Sequence, residues 1–332
     1  MTVSRSIPRV DEYLESVNSR LDGLFPPNAS TTLERAAADS LSGGGKRVRA
    51  ILALLWCEAF SDDCKPALPL AVAYELAHAS ALIEDDIIDH SPMRRGKKSV
   101  VEEYGLSNAI LASNLLLFHV PKMLAEYRYL GSEKVAKLFD LLGEACRSTT
   151  WGEFLDLEMA QKDEVSEREY EEMIRLKTST LLSAPSIGGA IVGGASDSQA
   201  SLAGKFGELL GMAYQIQDDA LDFQGDERIL GKPIFGDLRQ GKKSLVLIHC
   251  VRRCSAEEKD FVTKLANRAG PYSDDEISRV RMLLQKYGSI DYARERSSEY
   301  VSQAKGVLAS VRDCGARSTL IEMSDYLAAR YS

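Results

Sequence analysis

The chain has 332 residues, 45% of them hydrophobic and 27% charged, with a formal net charge of −8 and a pI near 5.3. A diffuse acidic balance argues against nucleic acid as the main partner, because a phosphate backbone needs a basic footprint. It leaves open a phosphorylated small molecule met by a local cluster of cations.

In chain order, Met1–Arg9 lacks the apolar stretch of a signal peptide, and no run reaches the ~18 apolar residues of a membrane span. Helices dominate the expected elements. Ala, Leu, Glu, Lys and Arg are frequent, and alternating Val/Ile/Thr strands are hard to find. Capping boxes of the Ser/Thr-x-x-Glu kind predict helix starts at Thr31–Glu34, Ser166–Glu169, Ser255–Glu258 and Ser273–Glu276. Breaks are expected at Pro26-Pro27, Gly43-Gly44-Gly45, Ser91–Gly96, Gly193-Gly194, Gly225–Gly241 and Gly270-Pro271. Leu68–Asp89 and Ala200–Phe223 are nearly apolar over long stretches and read as central helices with little solvent contact. No linker or composition shift divides the chain, so residues 1–332 read as one all-α domain. Cys57, Cys64, Cys146, Cys250, Cys254 and Cys314 include no CxxC pair and read as core thiols of a reducing cytoplasm.

One pattern occurs twice. Asp85-Asp86-Ile87-Ile88-Asp89 and Asp218-Asp219-Ala220-Leu221-Asp222 are both Asp-Asp-x-x-Asp, and each ends a long apolar helix pattern. At about 100° per residue, Asp85 and Asp89 share a helix face with Asp86 beside them and His78 about two turns earlier. Gln215, Asp218, Asp219 and Asp222 share a face of the second helix. Leu82, Ile83, Ile87, Ile88, Ile216 and Leu221 make both settings too apolar for a solvated acidic face, and carboxylates crowded there need a cation. Carboxylates without His or Cys partners suit a hard cation, and so sparse a set suits Mg²⁺ completed by substrate phosphates. The counter-charges lie in Lys46-Arg47-Val48-Arg49 after the glycine turn, Arg94-Arg95-Gly96, Lys177-Thr178, Gly231-Lys232-Pro233 and Gly241-Lys242-Lys243. They look like the other half of a diphosphate site.

From about Gly43 to Leu245 the motifs GGGKRVR, HASALIEDDIID, RRG, KT, YQIQDDALD, GKP and DLRQGK resemble those of the trans-isoprenyl diphosphate synthases in order and spacing. The resemblance implies an isoprenoid-synthase-like bundle of antiparallel helices around a deep central cavity, usually a homodimer. The implied reaction condenses isopentenyl diphosphate with an allylic diphosphate, with three Mg²⁺ ions per site. By the same resemblance Asp85 and Asp89 are metal ligands with Asp86 close by, and Asp218 is the third-metal side with Asp219 and Asp222 near it. Arg94, Lys177, Thr178, Gln215, Lys232 and Lys242 would hold the allylic diphosphate. Lys46, Arg49, His78 and Arg95 would hold isopentenyl diphosphate. Product length would be set by Ser80, Ala81 and Ala77, all small, with Tyr74 as the floor and Phe118 or His119 closing the space sooner. That arrangement predicts a C20 product, or C25.

The chain departs from the family pattern at Ser113-Asn114 (commonly Gly-Asp), at Glu153 (commonly Gln) and at Ser244-Leu245-Val246 (commonly Thr-Leu-Pro). A terpene cyclase and a non-catalytic subunit of a heteromeric synthase are the rival readings. Both intact Asp clusters and the isopentenyl set count against them.

Overall fold

The computed structural model describes residues 9–42, 45–224, 235–268 and 270–328. The chain forms two compact units, one of Met1–Cys146, Leu181–Gly207 and Lys305–Tyr326, the other of Arg147–Thr180, Glu208–Ala304 and Leu327–Ser332. Helices make up nearly all of both.

In the first unit, α1 (Arg9–Leu24) turns Val10, Tyr13, Val17 and Leu21 inward, a stripe at helical spacing. Glu34 and Thr31 cap α2 (Thr32–Ser42) reciprocally. In α3 (Val48–Ser61) the run Ala50–Cys57 is buried on every side. Each large apolar side chain so placed contributes roughly 1.5–3 kcal/mol. The centre is crowded enough that α9 (Thr180–Val192) meets α3 backbone to backbone. A Cβ on Gly189 would lie 2.1 Å from the Ala53 carbonyl oxygen, so only glycine fits there.

Helix α4 (Leu68–Ile88) starts with Pro69 in its first turn and packs along α3 and along α6 (Leu106–Leu124), which follows the short α5 (Val100–Tyr104). On length and composition the segment Lys65–Ile88 is apolar enough to cross a bilayer, contrary to the expectation from the sequence. Of its most apolar 18-residue window 67% is buried, which marks it as the core helix the sequence pattern suggests.

Sequence reading missed a two-residue hairpin, β1 (Met93–Arg94) paired with β2 (Lys97–Lys98). Its turn is Arg95-Gly96, with φ 52° and 77°. Two successive positive φ values let a tight turn follow strand twist. Strands this short carry no alternation to detect.

In the second unit, Ser166 and Glu169 form a complete capping box on α8 (Glu167–Ile174). The helices Ala256–Arg268 and Asp274–Lys286 also open on their expected boxes, at Ser255–Glu258 and Ser273–Glu276. The core gathers Tyr170, Ile174, Ile216, Phe223, Phe235 and Leu238. Between α8 and α9 the chain winds as a π-helix over Arg175–Ser179. Across both units the other long helices are α7 (Ser132–Ala160), α10 (Asp197–Asp222), Ser289–Leu308 and Gly315–Ala328.

Candidate active site

Both Asp clusters occupy the last turn of a long helix, and neither turn contains a basic residue. The carbonyl end of a helix carries partial negative charge, so acids there are unfavourable until a cation arrives. Two helices that both end this way fit a cation bound at each.

In the first cluster the three carboxylates divide their work. Asp86 is 3% exposed and accepts from Arg94 Nε at 2.9 Å, with Nη2 on the same oxygen. Burial pushes its pKa up against the pull of Arg94, and Asp85 and Asp89 add to the rise. Asp85 and Asp89 themselves are half-buried at the helix end. Arg94 and Arg95 line a cavity of about 250 Å³ with Ala79, Leu82, Ile83 and Asp86.

Of the residues expected to hold isopentenyl diphosphate, Arg49 and Arg95 bear on His78. Burial holds the His78 imidazole well below its ordinary pKa, reinforced by Arg49, Arg95, Arg47 and Arg94 in turn. His78 is therefore a neutral hydrogen-bonding group among guanidiniums. Lys46 Nζ is buried and has no hydrogen-bond partner among the described residues, as an ammonium reserved for an anion would be.

In the second cluster Asp219 is 7% exposed and accepts from the Tyr170 hydroxyl at 2.6 Å and from Gln215 Nε2 at 2.8 Å. Gln215 Oε1 in turn accepts from Thr178 Oγ1 at 2.7 Å. Burial raises the Asp219 pKa, countered by Tyr170 and Gln215 and supported by Asp218 and Asp156. Asp222 is fully buried, and its two oxygens accept the amides of Gly236 and Asp237 at 3.2 and 3.0 Å. It starts the short helix Gly236–Arg239. That leaves Asp218, half-buried, as the outward carboxylate of this cluster.

Lys177 lies in the π-helix and is bracketed by Glu153 Oε2 at 2.6 Å and Asp156 Oδ2 at 2.7 Å. Its backbone packs on Gly152, where a Cβ would sit 2.2 Å from the Lys177 nitrogen. Lys242 is half-buried, while its neighbour Lys243 bonds Asn267 Oδ1 at 2.6 Å. Lys232 lies outside the described residues.

The chain-length residues divide. Tyr74 is fully buried, its hydroxyl without a partner among the described residues, and Ala77 is 5% exposed. Ser80 turns to α6 and shares a 2.8 Å hydrogen bond with Ser113, which also donates to Glu84 at 2.7 Å. Ala81 is half-buried. Phe118, expected to narrow the space, is 69% exposed because it falls on the outer face of α6. His119 packs edge-on to Phe25 at 4.8 Å.

Among the described residues no three His, Cys, Asp or Glu side chains form a ready-made cage. Mg²⁺ fits such a donor set, since it is usually held by one or two carboxylates and completed by water and phosphate oxygens. The polyprenyl synthetase family model matches residues 30–284. The chain belongs to that family.

Geranylgeranyl diphosphate synthase of Methanosarcina mazei is 33% identical to this synthetase over 99% of both chains. Geranylfarnesyl diphosphate synthase of Aeropyrum pernix is 33% identical over 90% of this chain and 94% of its own. The crystal structure of geranylgeranyl pyrophosphate synthetase from Pyrococcus horikoshii superposes with a TM-score of 0.89 at 32% identity, covering 98% of each chain. Motif reading of this synthetase assigned no role to Tyr170, Asp156 or Glu75. Their signal is a partner many residues away in the chain, Asp219, Lys177 and Arg47 respectively, which motif spacing does not carry.

Proposed function

We propose that this synthetase is an Mg²⁺-dependent trans-prenyltransferase. It condenses isopentenyl diphosphate with an allylic diphosphate (dimethylallyl, geranyl or farnesyl) to give a linear all-trans polyprenyl diphosphate of C20, or C25. The observation that carries this reading is the doubled Asp cluster. In each, the middle carboxylate is tied to protein groups and an outer one remains half-buried at a helix end.

Asp85, Asp89 and Asp218 are the residues that would hold magnesium, at three ions per site. When bound, the metal supplies positive charge to the departing diphosphate. Arg94, Lys177, Thr178, Gln215, Lys232 and Lys242 hold the allylic diphosphate. Lys46, Arg49, Arg95 and neutral His78 hold isopentenyl diphosphate with its double bond toward the allylic carbon. Apolar walls keep water from the allylic cation. The released diphosphate takes the final proton.

Tyr74 supports the C20 assignment as the first phenyl-sized ring down α4, about 9 Å below Ser80 at 1.5 Å per residue. The relatives named for C20 and C25 products agree with it in kind. We assign the synthetase to the cytoplasm as one synthase domain working as a homodimer. The cysteines form no disulfide among the described residues, and the outer face of α6, with Leu106, Ile110, Leu111 and Phe118 exposed, suits a second copy.

The test is incubation of the purified protein alone with isopentenyl diphosphate and each primer in Mg²⁺, followed by chain-length analysis. A C20 or C25 main product is expected. Absence of turnover would sink the assignment.

A further inference from the structure

Arg47 and Glu75 form a buried ion pair that the proposed chemistry does not use. Arg47 is 8% exposed and Glu75 is 3% exposed. Arg47 precedes α3 in a left-handed conformation, φ 49° and ψ 33°, which side-chain-bearing residues rarely adopt. Its guanidinium is held on three sides. Nη1 donates to Glu75 Oε2 at 3.3 Å, Nε donates to Asn18 Oδ1 at 3.1 Å, and Nη2 donates to the Leu41 carbonyl.

The other oxygen of Glu75 accepts the N–H of Ala50, the third residue of α3, at 3.2 Å. A side chain of α4 thus caps the start of α3, where amides have no intrahelical acceptor. Three cations, Lys46, Arg47 and Arg49, fall within four residues, and Glu75 sorts them. It draws Arg47 into the protein. The Lys46 Nζ atom stays buried without a hydrogen-bond partner among the described residues, and Arg49 bears on His78, one turn after Glu75 on the same helix.

We propose that Glu75 is a positioning residue of the isopentenyl diphosphate site. Through Arg47 and the Ala50 amide it fixes the directions in which Lys46 and Arg49 leave the backbone. It also keeps Arg47 from competing for the diphosphate. The inference rests on the assignment of Lys46, Arg49 and His78 to that substrate.

Glu75→Gln keeps an oxygen for the Ala50 amide and removes the charge. It should raise the KM for isopentenyl diphosphate roughly tenfold, the size of one well-placed ionic hydrogen bond. The allylic KM and kcat should stay within about twofold of wild type. Because the pair is buried, the thermal midpoint should fall, and the KM values are read below it on folded protein. Arg47→Met, similar in length and uncharged, should repeat this split, and it carries the test if Glu75→Gln folds poorly. The double variant should lose far less than the product of the single losses, because the two residues act as a unit.

Equal rises in both KM values, a fall in kcat alone, or independent effects of the two substitutions would overturn the inference. A wild-type protein that turns over no primer would overturn the functional reading itself. An active wild type beside a Glu75→Gln variant with unchanged KM would overturn this inference alone.

Discussion

Asp86 and Asp219 hold the same place in two copies of one motif, and the protein neutralises them by opposite means. Asp86 is paired with a cation, Arg94, whose side chain is 36% exposed and which the field of Asp85 and Asp89 also reaches. Asp219 is held by two neutral donors, Tyr170 and Gln215, and burial draws it toward the protonated form. The first middle carboxylate therefore aims a positive charge, and the second aims a hydrogen-bond chain through Gln215 to Thr178. Equal motifs need not mean equal electrostatics. What each Asp does is decided by the segment that meets it, a hairpin strand for Asp86 and a helix for Asp219.

The largest expected break lies outside that contrast, in the outer carboxylates the clusters share. Asp85→Ala and Asp218→Ala should each lower kcat at least about a hundredfold, the scale of several kcal/mol of leaving-group stabilisation. Circular dichroism should be unchanged, and excess chelator should match either variant. A wild-type rate in one of them would remove its cluster from the chemistry.

The contrast itself is tested by neutral isosteres. Asp86→Asn leaves the Arg94 charge without its buried partner and should cost about tenfold in kcat/KM. Asp219→Asn, replacing a group already drawn toward neutrality, should cost less than about threefold. Equal losses would show that the different partners are immaterial. A smaller effect sharpens the comparison at Lys177. Glu153→Gln removes one of two carboxylates that hold its ammonium and should lower the allylic KM roughly threefold, read by steady-state titration. An unchanged or higher KM would mean that Glu153 helps rather than competes.

The smallest effect concerns the metal-free protein. Asp85→Asn relieves an acid at the wrong end of α4 and should raise the melting midpoint without metal by about 1–2 °C while activity falls. A lower midpoint would show that the helix end is not under that strain.

Much of this arrangement is legible along the chain because its causes are local. Four capping boxes, two long apolar helices and the matched Asp spacing each depend on residues within a few turns of one another. The hairpin at Arg94–Lys97 escaped because two-residue strands have no pattern, and its turn depends on backbone angles rather than composition. The commitments of Asp86, Asp219 and Asp222 escaped for another reason. Their partners lie 8, 49 and 14–15 residues away, and which Asp of a cluster turns inward is a matter of packing. Phe118 shows the same limit, since an apolar letter on a helix does not say which way it faces.

The π-helix at Arg175–Ser179 sets one more condition on the site. It amounts to one residue more than a regular helix would hold, and each added residue swings the downstream side chains by about 100° around the axis. Lys177 and Thr178 reach Asp156 and Gln215 from within that overfull turn. A single-residue deletion there would leave every named side chain in the sequence, yet it would rotate Lys177 and Thr178 away from both partners. The site is therefore specified by residue count as well as by residue type, and insertions or deletions in this segment should be tolerated less than substitutions.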